Sequence, residues 1–410
     1  MRSPEQRYIQ IERALKDVVV REHRSSYDID RILLHPVWGM LCLSLIVIGL
    51  FSSLFAMGKP MADFLEDGIA SLGRMVMPWF SEFPFLGSLL LEGVFGGVGT
   101  LLAFVPLIGL LFFMLGLLEE SGYLARITFL LDRILLKSGL SGRAFVPLMS
   151  GYACAIPAIL STRVIRNPES RLMAILLIPF LSCSARLPLY TLVIANFFSP
   201  VVGSLVLVGL YLLGAVAAFF SGCLLKRYLF KNRFEELILE LPRYRVPRLR
   251  PILRVVYQRL IDFVGQAGTL ILGMSIGMWA LFHFPLGTDM EHSWAATLGH
   301  WIEPWIKPIG FDWKLGLALL AAFSAREVMV STLGVIYGVH SDWTQNYTPL
   351  QATSLLIFFA LAFQCFSTLA IVRQETGSWK WPLFQFVGMT GIAWTLSFLV
   401  FQGGMLLGFE

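Results

Sequence analysis

The chain alternates long apolar stretches with short polar or charged segments. A helix needs roughly 20 consecutive apolar residues to cross a bilayer. Apolar runs of this kind lie near 37–57, 93–118, 172–198, 201–225, 257–283, 314–339, 352–372 and 383–407. A further apolar stretch, 144–162, is shorter and is interrupted by Gly151 and Pro157. The pattern predicts an all-α, polytopic membrane protein with about 8 transmembrane helices and additional broken or re-entrant segments.

Composition and charge agree with a membrane protein. Hydrophobic residues make up 56% of the chain and charged residues 14%, whereas soluble domains carry about 25% charged residues. Lysine and arginine are concentrated in the tail 1–36, which has seven, and in the loop 226–254, which has nine. Positively charged loops stay in the cytoplasm, so we expect a cytoplasmic N-terminus, with 58–92 and 284–313 facing outward. The same rule explains the basic loop, and no nucleic-acid partner is expected.

A weak internal repeat is present. The segments 182-SCSARLPLYTLVIANFF-198 and 322-AFSAREVMVSTLGVIYGV-339 share an S-A-R triplet followed by an apolar run. Three predicted spans separate equivalent points, so the two copies would run in opposite directions. Inverted repeats with broken helices are typical of transporters, whose substrate site lies where the repeats meet.

We therefore divide the chain into six segments. They are a cytoplasmic amphipathic segment at 1–36, the first transmembrane helices with an interfacial connector at 37–143, a first gate repeat at 144–225, a basic cytoplasmic loop at 226–256, a second gate repeat at 257–373, and a C-terminal transmembrane helix at 374–410.

Three charged residues lie in the middle of apolar segments: Arg186, Arg326 and Glu327. Each costs roughly 2.5–3.5 kcal/mol to insert into a bilayer, so such residues face the bundle interior and pair. An ion pair between Arg186 and Glu327 would join the two repeats, either as a structural link or as part of a gate. In the outward segment, His300 and Glu303 share a helix face, where they either capture a divalent ion or are simply polar surface.

The cysteines fall into two groups. Cys42 and Cys223 lie in plain apolar runs. Cys154, Cys183 and Cys365 lie beside helix breakers and small polar side chains, among them Gly151, Pro157, Ser182, Ser184, Ser367 and Thr368. Thiols favour borderline or soft cations, whereas hard cations prefer oxygen. These three cysteines are therefore either inert core residues or ligands for a transition-metal ion.

Several long motifs resemble one known family. They are 118-LEESGYLARITFLLDRILLKSGLSGRAFVPL-148, 151-GYACAIPAILSTR-163, 182-SCSARLPLY-190, 322-AFSAREVMVSTLG-334 and 364-QCFSTLAIVRQETGSWKW-381. Their sequences and their order are similar to the ferrous iron transport protein B (FeoB) family of bacterial iron permeases, over nearly the whole chain. Ala153, Ala155 and Gln364 stand where the family motifs usually have other residues.

The resemblance implies a ferrous iron permease of the bacterial inner membrane. It implies that Cys154, Cys183 and Cys365 line the ion path, and it marks Glu119 and Glu375 as acidic candidates. Fe²⁺ would be the substrate, with no permanently bound cofactor. Homo-oligomers and small Feo accessory proteins are further expectations.

The family usually begins with a GTP-binding domain, but this sequence has no GxxxxGK[ST] motif to cradle phosphates. We therefore expect a permease that is not itself an enzyme, with any GTPase on a separate chain.

Two alternatives stay open at this point. One is a permease of the same gate architecture for Mn²⁺, Zn²⁺ or nucleosides, favoured by the alanine that follows Cys154. The other is a membrane partner of a GTPase that transports nothing. An intramembrane metalloprotease is disfavoured, because the sequence has no HExxH motif.

Overall fold

The structure is a computed structural model that describes residues 26–76, 78, 84–229, 244–285, 293–324, 326, 328–337, 347–362 and 365–408. The amphipathic helix expected at 4–24 and the side chain of Glu327 lie outside the described residues. In the part that is described, the regular elements are all helical and no strand occurs. The predicted all-α class is confirmed.

The helices are numbered in chain order. They are α1 (Ser26–Leu33), α2 (Pro36–Ser53), α3 (Lys59–Val76), α4 (Pro84–Ser88), α5 (Gly96–Glu120), α6 (Tyr123–Lys137), α7 (Phe145–Gly151), α8 (Ala155–Ser161), α9 (Pro168–Leu177), α10 (Leu187–Phe197), α11 (Pro200–Tyr228), α12 (Leu249–His283), α13 (Trp294–Ile306), α14 (Trp313–Ser324), α15 (Val328–Tyr337), α16 (Pro349–Leu361), α17 (Phe366–Thr376) and α18 (Lys380–Leu406).

Helix starts follow from local sequence. The side chain of Asn167 accepts hydrogen bonds from the N–H groups of Glu169 and Ser170 at 2.9 and 3.2 Å, which caps α9. Thr348 and Gln351 form a reciprocal capping box at the start of α16. Both helices, like α11, have proline in the first turn, where its missing N–H costs nothing because that group has no partner within the helix.

Five helical stretches in the described residues are long and apolar enough to cross a membrane. They are Phe85–Glu120, Pro168–Phe197, Pro200–Tyr228, Pro349–Thr376 and Lys380–Leu406. Three shorter apolar helices accompany them: Pro36–Leu50, Ala155–Val164 and Trp313–Ser324. A polytopic membrane protein with interrupted segments is the architecture that the sequence predicts.

Two groups of helices repeat in chain order. In the first, α7 and α8 pack against each other, α9 and α10 make one interrupted stretch, and α11 follows as an uninterrupted helix. In the second, α14 and α15 pack against each other, α16 and α17 make the interrupted stretch, and α18 follows. At seven residues each, α7 and α8 are about 10 Å long, too short to cross a bilayer, so they form a helical hairpin.

This order corrects the register of the repeat inferred from sequence. Ser184–Arg186 lies in the break of the α9–α10 stretch, whereas Ser324 and Arg326 lie at the turn of the α14–α15 hairpin. The two S-A-R triplets therefore occupy different positions of the repeating unit. A three-residue match inside apolar runs is too short to fix a register, because apolar runs align with one another at many offsets.

Each hairpin packs against the interrupted stretch of the other unit. Helix α8 of the first hairpin lies on α17, while α15 of the second hairpin lies on α10. The units are also joined by Gln385 of α18, whose buried amide donates to the carbonyls of Ile175 and Leu176 at the end of α9. The interruptions of both units consequently meet in the interior of the molecule.

The end of the bundle that holds α1 and α6 carries a polar cluster. Arg126 is 2% exposed and donates through Nε to Asp30 at 2.9 Å. Tyr244 donates to the same carboxylate oxygen at 2.6 Å, and its ring lies 3.8 Å from the Arg126 guanidinium carbon. Burial alone would raise the pKa of Asp30, but these two hydrogen bonds outweigh it and hold the pKa below its ordinary value. The cluster fastens the first described helix to Tyr244 of the basic loop.

Candidate functional site

All three cysteines that the sequence places beside helix breakers lie at helix starts. Cys154 precedes α8, Cys183 precedes the short turn Ser184–Arg186 that leads into α10, and Cys365 precedes α17. Each has extended backbone dihedrals, with (φ, ψ) of (−155°, 133°), (−76°, 164°) and (−60°, 159°). A helix N-terminus favours negative charge, and the thiolate is the metal-binding form of cysteine. The backbone therefore places each thiol at the N-terminal end of a helical segment.

Glycine and proline explain why the chain breaks there. A Cβ on Gly151 would lie 3.2 Å from both Ile178 Cγ2 and Leu181 Cδ1, so this glycine lets the first hairpin approach the α9–α10 break closely. Pro157 lies at the third residue of α8, where the backbone N–H would have no partner within the helix. Pro188 occupies the first turn of α10 for the same reason.

Ser184 joins the turn of the first hairpin to the α9–α10 break. Its hydroxyl donates to the carbonyl of Ala153 at 2.9 Å, and its backbone N–H donates to the same oxygen at 3.3 Å. Ser182 is fully buried and shares a hydrogen bond of 3.2 Å with the hydroxyl of Tyr190. Cys154 and Cys183 are thus carried by two backbone segments that are hydrogen-bonded to each other.

Two buried arginines converge on one carbonyl at the end of α16. Arg186 is fully buried and donates to the carbonyls of Ala360 at 2.6 Å and Ala362 at 3.1 Å. Arg326 is 5% exposed and donates to the same Ala362 carbonyl at 3.2 Å, with its guanidinium carbon 4.6 Å from the ring of Phe359. Carbonyls at a helix C-terminus lack partners within the helix. The guanidinium groups supply those partners. Arg186 belongs to the first repeated unit and Arg326 to the second, so both units are attached to the end of α16.

This arrangement differs from the ion pair expected between Arg186 and Glu327. Glu327 lies outside the described residues, so the ion pair itself stays a prediction. Among the described residues, the partners of Arg186 are the two carbonyls and the Ser182 hydroxyl at 3.4 Å. The sequence does not predict these hydrogen bonds to Ala360 and Ala362, because every residue has a backbone carbonyl.

The third cysteine has a hydroxyl neighbour one helical turn away. The Sγ atom of Cys365 and the Oγ1 atom of Thr368 are 3.4 Å apart at the start of α17. Thr368 is fully buried, and Ser367 is 4% exposed. The structure therefore brings together the thiol and one of the hydroxyls that the sequence places in this gate.

The three cysteines do not form a compact metal centre. In the part of the chain that is described, no group of three or more His, Cys, Asp and Glu side chains is close enough to hold a metal ion. The thiols lie instead at three separate backbone breaks.

The acidic candidates differ from each other. Glu119 is exposed at the end of α5. The side chain of Glu375 is 3% exposed, and its carboxylate accepts hydrogen bonds from Arg163 Nε at 3.1 Å and from Arg171. These bonds tie the end of α17 to the short turn Thr162–Val164 that follows α8, and to α9. Glu375 is therefore a buried link between the two units, a role that its position in the sequence does not reveal.

In the segment that the charge pattern predicts to face outward, His300 and Glu303 lie on one face of α13, as their spacing predicts. His300 Nδ1 and Glu303 Oε2 are 3.3 Å apart, with side chains 52% and 32% exposed. The pair supplies two potential metal ligands on a solvent-exposed surface.

The fold and the site define a polytopic α-helical membrane protein in which two repeated units bring broken helices and hairpins together in the interior. That organisation is typical of secondary transporters. Comparison with known proteins agrees. The family described as "Gate: Nucleoside recognition" matches residues 101–198 and 264–379, and "Ferrous iron transport protein B C terminus" matches 207–259. The first of these covers more than half of the chain, which therefore belongs to the Gate family.

Individual relatives carry iron-transport names. The chain is 42% identical to the Fe(2+) transporter FeoB of Leptospira biflexa over 93% of its own length, and 38% identical to that of Staphylococcus aureus over 97%. It covers 60% and 62% of those two relatives. It is also 33% identical to a fusion of Fe(2+) transport protein A with FeoB from Porphyromonas gingivalis, of which it covers 55%. The chain thus spans about three fifths of the length of these relatives. No solved structure matches it.

Proposed function

We propose that this chain is a permease for Fe²⁺ in the bacterial inner membrane, with its N-terminus in the cytoplasm. The observation that carries the proposal is the placement of Cys154, Cys183 and Cys365 at the three helix starts where the repeated units meet. Iron fits these ligands because thiolates favour borderline cations. Relatives that bear the name Fe(2+) transporter support the choice of metal.

In the proposed path the ion moves between thiols that lie at separate breaks. A compact site of three or four ligands would bind a transition metal tightly and release it slowly. Weaker sites in series allow entry and departure, which conduction requires. The hydroxyls of Ser184 and Thr368 lie next to these thiols, and Ser184 hydrogen-bonds the hairpin turn that carries Cys154. No bond is made or broken in the substrate, so the chain acts as a transporter and not as an enzyme.

The two guanidinium groups of Arg186 and Arg326 have a positioning role in this proposal. They hold the end of α16 by its carbonyls, and they add positive charge to the interior. A hard monovalent cation gains little from a thiol and is repelled by that charge. A ferrous ion is repelled more strongly than a monovalent ion, so in this proposal its passage depends on thiolate ligands that offset the repulsion.

Partners follow from the relatives and from the sequence. The fusion protein of Porphyromonas gingivalis joins a transport protein A to its FeoB part, which supports a small accessory protein as a partner. A separate GTP-binding protein would drive the cycle, and copies of the chain would assemble as a homo-oligomer in the lipid bilayer.

The test is Fe²⁺ uptake by cysteine variants reconstituted in liposomes under reducing conditions. Cys154→Ser, Cys183→Ser and Cys365→Ser should each lower uptake at subsaturating Fe²⁺ about tenfold, which corresponds to about 1.4 kcal/mol of lost metal affinity. Cys42→Ser and Cys223→Ser are the matched controls, because they keep all three gate thiols. Equal effects in both groups would show that the gate thiols do not touch the ion.

Nucleoside transport is the second candidate. It is favoured by the description of the Gate family and by the finding that the described residues contain no three-ligand metal group. Radiolabelled nucleoside uptake by the same liposomes separates the two candidates. Uptake of nucleoside that Fe²⁺ does not compete with, together with no Fe²⁺ uptake, would favour this second function.

A further inference from the structure

An exposed basic corner lies where α17 turns into α18. It consists of Arg373 in the last turn of α17, of Trp379, and of Lys380, which begins α18. All three residues are exposed, and the guanidinium carbon of Arg373 lies 4.3 Å from the centre of the Trp379 ring. A guanidinium group that stacks on an aromatic ring keeps its N–H groups, which point outward in its own plane, available to a further partner.

The two cations of the basic corner have no acidic partner among the described residues. Glu375 is the carboxylate nearest to them in the sequence, but its side chain is 3% exposed and is already paired. Arg163 contacts one oxygen of this carboxylate and Arg171 contacts the other. The basic corner therefore presents two positive charges that no described carboxylate neutralises.

An apolar stripe of α18 begins directly at Lys380. Leu383, Phe384 and Val387 are 61%, 47% and 62% exposed, and their spacing from Lys380 places all four residues on one face of the helix. The opposite face of α18 is buried in the bundle through Pro382, Gln385, Met389, Ala393 and Ser397. In a helix that crosses a membrane, an exposed apolar face contacts the acyl chains of lipids. The positive charges therefore lie at the end of a surface that lipid covers.

The packing of α9 shows at which end of the bundle the basic corner lies. Arg171 of α9 contacts Glu375, which is two residues from Arg373. Met173 of the same helix lies beside the turn at Gly139, where a Cβ would be 2.9 Å from the Met173 sulfur and 3.2 Å from Lys226 Cβ. Lys226 is in the last turn of α11, which leads into the basic loop. The basic corner thus belongs to the end that the charge pattern predicts to be cytoplasmic.

We propose that the basic corner binds the headgroup of an anionic phospholipid of the cytoplasmic leaflet, whose acyl chains lie along the apolar stripe of α18. The Arg373 guanidinium and the Lys380 ammonium donate to the phosphate oxygens, and Trp379 occupies the boundary between hydrocarbon and water that tryptophan prefers. A zwitterionic lipid carries its own cation, which weakens the attraction. The headgroup binds beside Glu375, which links the two units. This inference does not depend on which substrate the chain transports.

Native mass spectrometry of the full chain in detergent tests the site, with phosphatidylglycerol as the anionic lipid and phosphatidylcholine as the zwitterionic lipid. The unchanged protein should retain phosphatidylglycerol in preference. A variant that combines Arg373→Gln with Lys380→Gln should bind phosphatidylglycerol about 25-fold more weakly. That is about fivefold for each charge, which corresponds to about 1 kcal/mol. Its retention of phosphatidylcholine should stay the same.

The matched control combines Arg245→Gln with Arg250→Gln. Both residues are exposed in the basic loop, so this variant loses the same net charge but keeps the basic corner. It should retain phosphatidylglycerol as the unchanged protein does. Equal losses in the two double variants would show a response to net charge alone and would overturn the proposal, as would the absence of any preference for phosphatidylglycerol in the unchanged protein.

A second measurement distinguishes a lipid from a free phosphate. A large excess of inorganic phosphate should leave phosphatidylglycerol bound to the unchanged protein, because phosphate makes no contact with the apolar stripe. Added phosphatidylglycerol should raise the thermal midpoint of the unchanged protein, since a ligand that binds only the folded state stabilises it, and should leave that of the Arg373→Gln, Lys380→Gln variant unchanged. Displacement of the lipid by phosphate, or an equal rise in both proteins, overturns the proposal.

Discussion

Arg186 is the residue whose replacement tests the geometry of the gate most sharply. Arg186→Lys keeps the positive charge and most of the aliphatic stem, but it replaces a planar fork by a single ammonium group. The arginine reaches two carbonyls, of Ala360 and Ala362, with different nitrogens. A lysine in the same place can serve one of them. The variant therefore loses one charge-assisted hydrogen bond, worth about 1.5–3 kcal/mol.

The assay is thermal unfolding in detergent combined with Fe²⁺ uptake. The midpoint should fall by roughly 3 °C or more, since about 1 kcal/mol shifts the midpoint of a large domain by roughly 2–4 °C. Uptake should fall with it, because the α16–α17 break that carries Cys365 has lost one of the hydrogen bonds that hold it. Arg166→Lys is the matched control, since Arg166 is exposed. Identical midpoints and identical uptake in Arg186→Lys and Arg166→Lys would refute the bridging role of Arg186.

Two further predictions concern ion pairs at the ends of helices. Glu375→Gln should lower the thermal midpoint by several degrees, because Arg163 and Arg171 lose the carboxylate that both contact. Glu303→Gln on the exposed face of α13 is the control and should change the midpoint little. Equal shifts in the two variants would contradict the linking role of Glu375. The pKa of Asp30 lies below its ordinary value, which is about 3.9. The ionised carboxylate therefore stabilises the folded protein fully above that ordinary value, and this stabilisation is lost as the pH falls through the lowered pKa. Asp30→Asn should flatten the acid limb of midpoint against pH, and an unchanged acid limb would argue against the pair.

Apolar patterning predicts the membrane architecture well, because crossing a bilayer imposes a length and a composition on each helix. Gly151 and Pro157 also predict the interruption of 144–162, since both residues act on the backbone locally. Sequence alone does not reveal that α7 and α8 fold back on each other, because this depends on the close approach that Gly151 permits toward Ile178 and Leu181.

In the site as well, features set by neighbouring residues can be predicted from the sequence, whereas contacts between distant residues cannot. The helix starts at Cys154 and Cys183 follow from Gly151, Pro157 and Pro188, which lie near them in the sequence, whereas no glycine or proline stands beside Cys365. The shared role of Arg186 and Arg326 does not follow in this way, because their common acceptor is the carbonyl of Ala362. A main-chain atom can be recruited at any residue, so its partner is fixed only by the packing of the two units.

The sequence pattern also does not predict the pairing of Glu375 with Arg163 and Arg171. The charges are more than 200 positions apart, with separations of 212 and 204 residues. Only the packing of α17 on α8 brings them together.

The measurement that tests the central claim most directly is uptake of ⁵⁵Fe²⁺ by liposomes that contain this chain, under reducing conditions, with K⁺, Mn²⁺, Zn²⁺ and a nucleoside as competitors. The account predicts saturable Fe²⁺ uptake that excess K⁺ and nucleoside do not reduce, and that Cys154→Ser lowers. Uptake no greater than in empty liposomes, both with the chain alone and after addition of a GTP-binding partner protein with GTP, would contradict it.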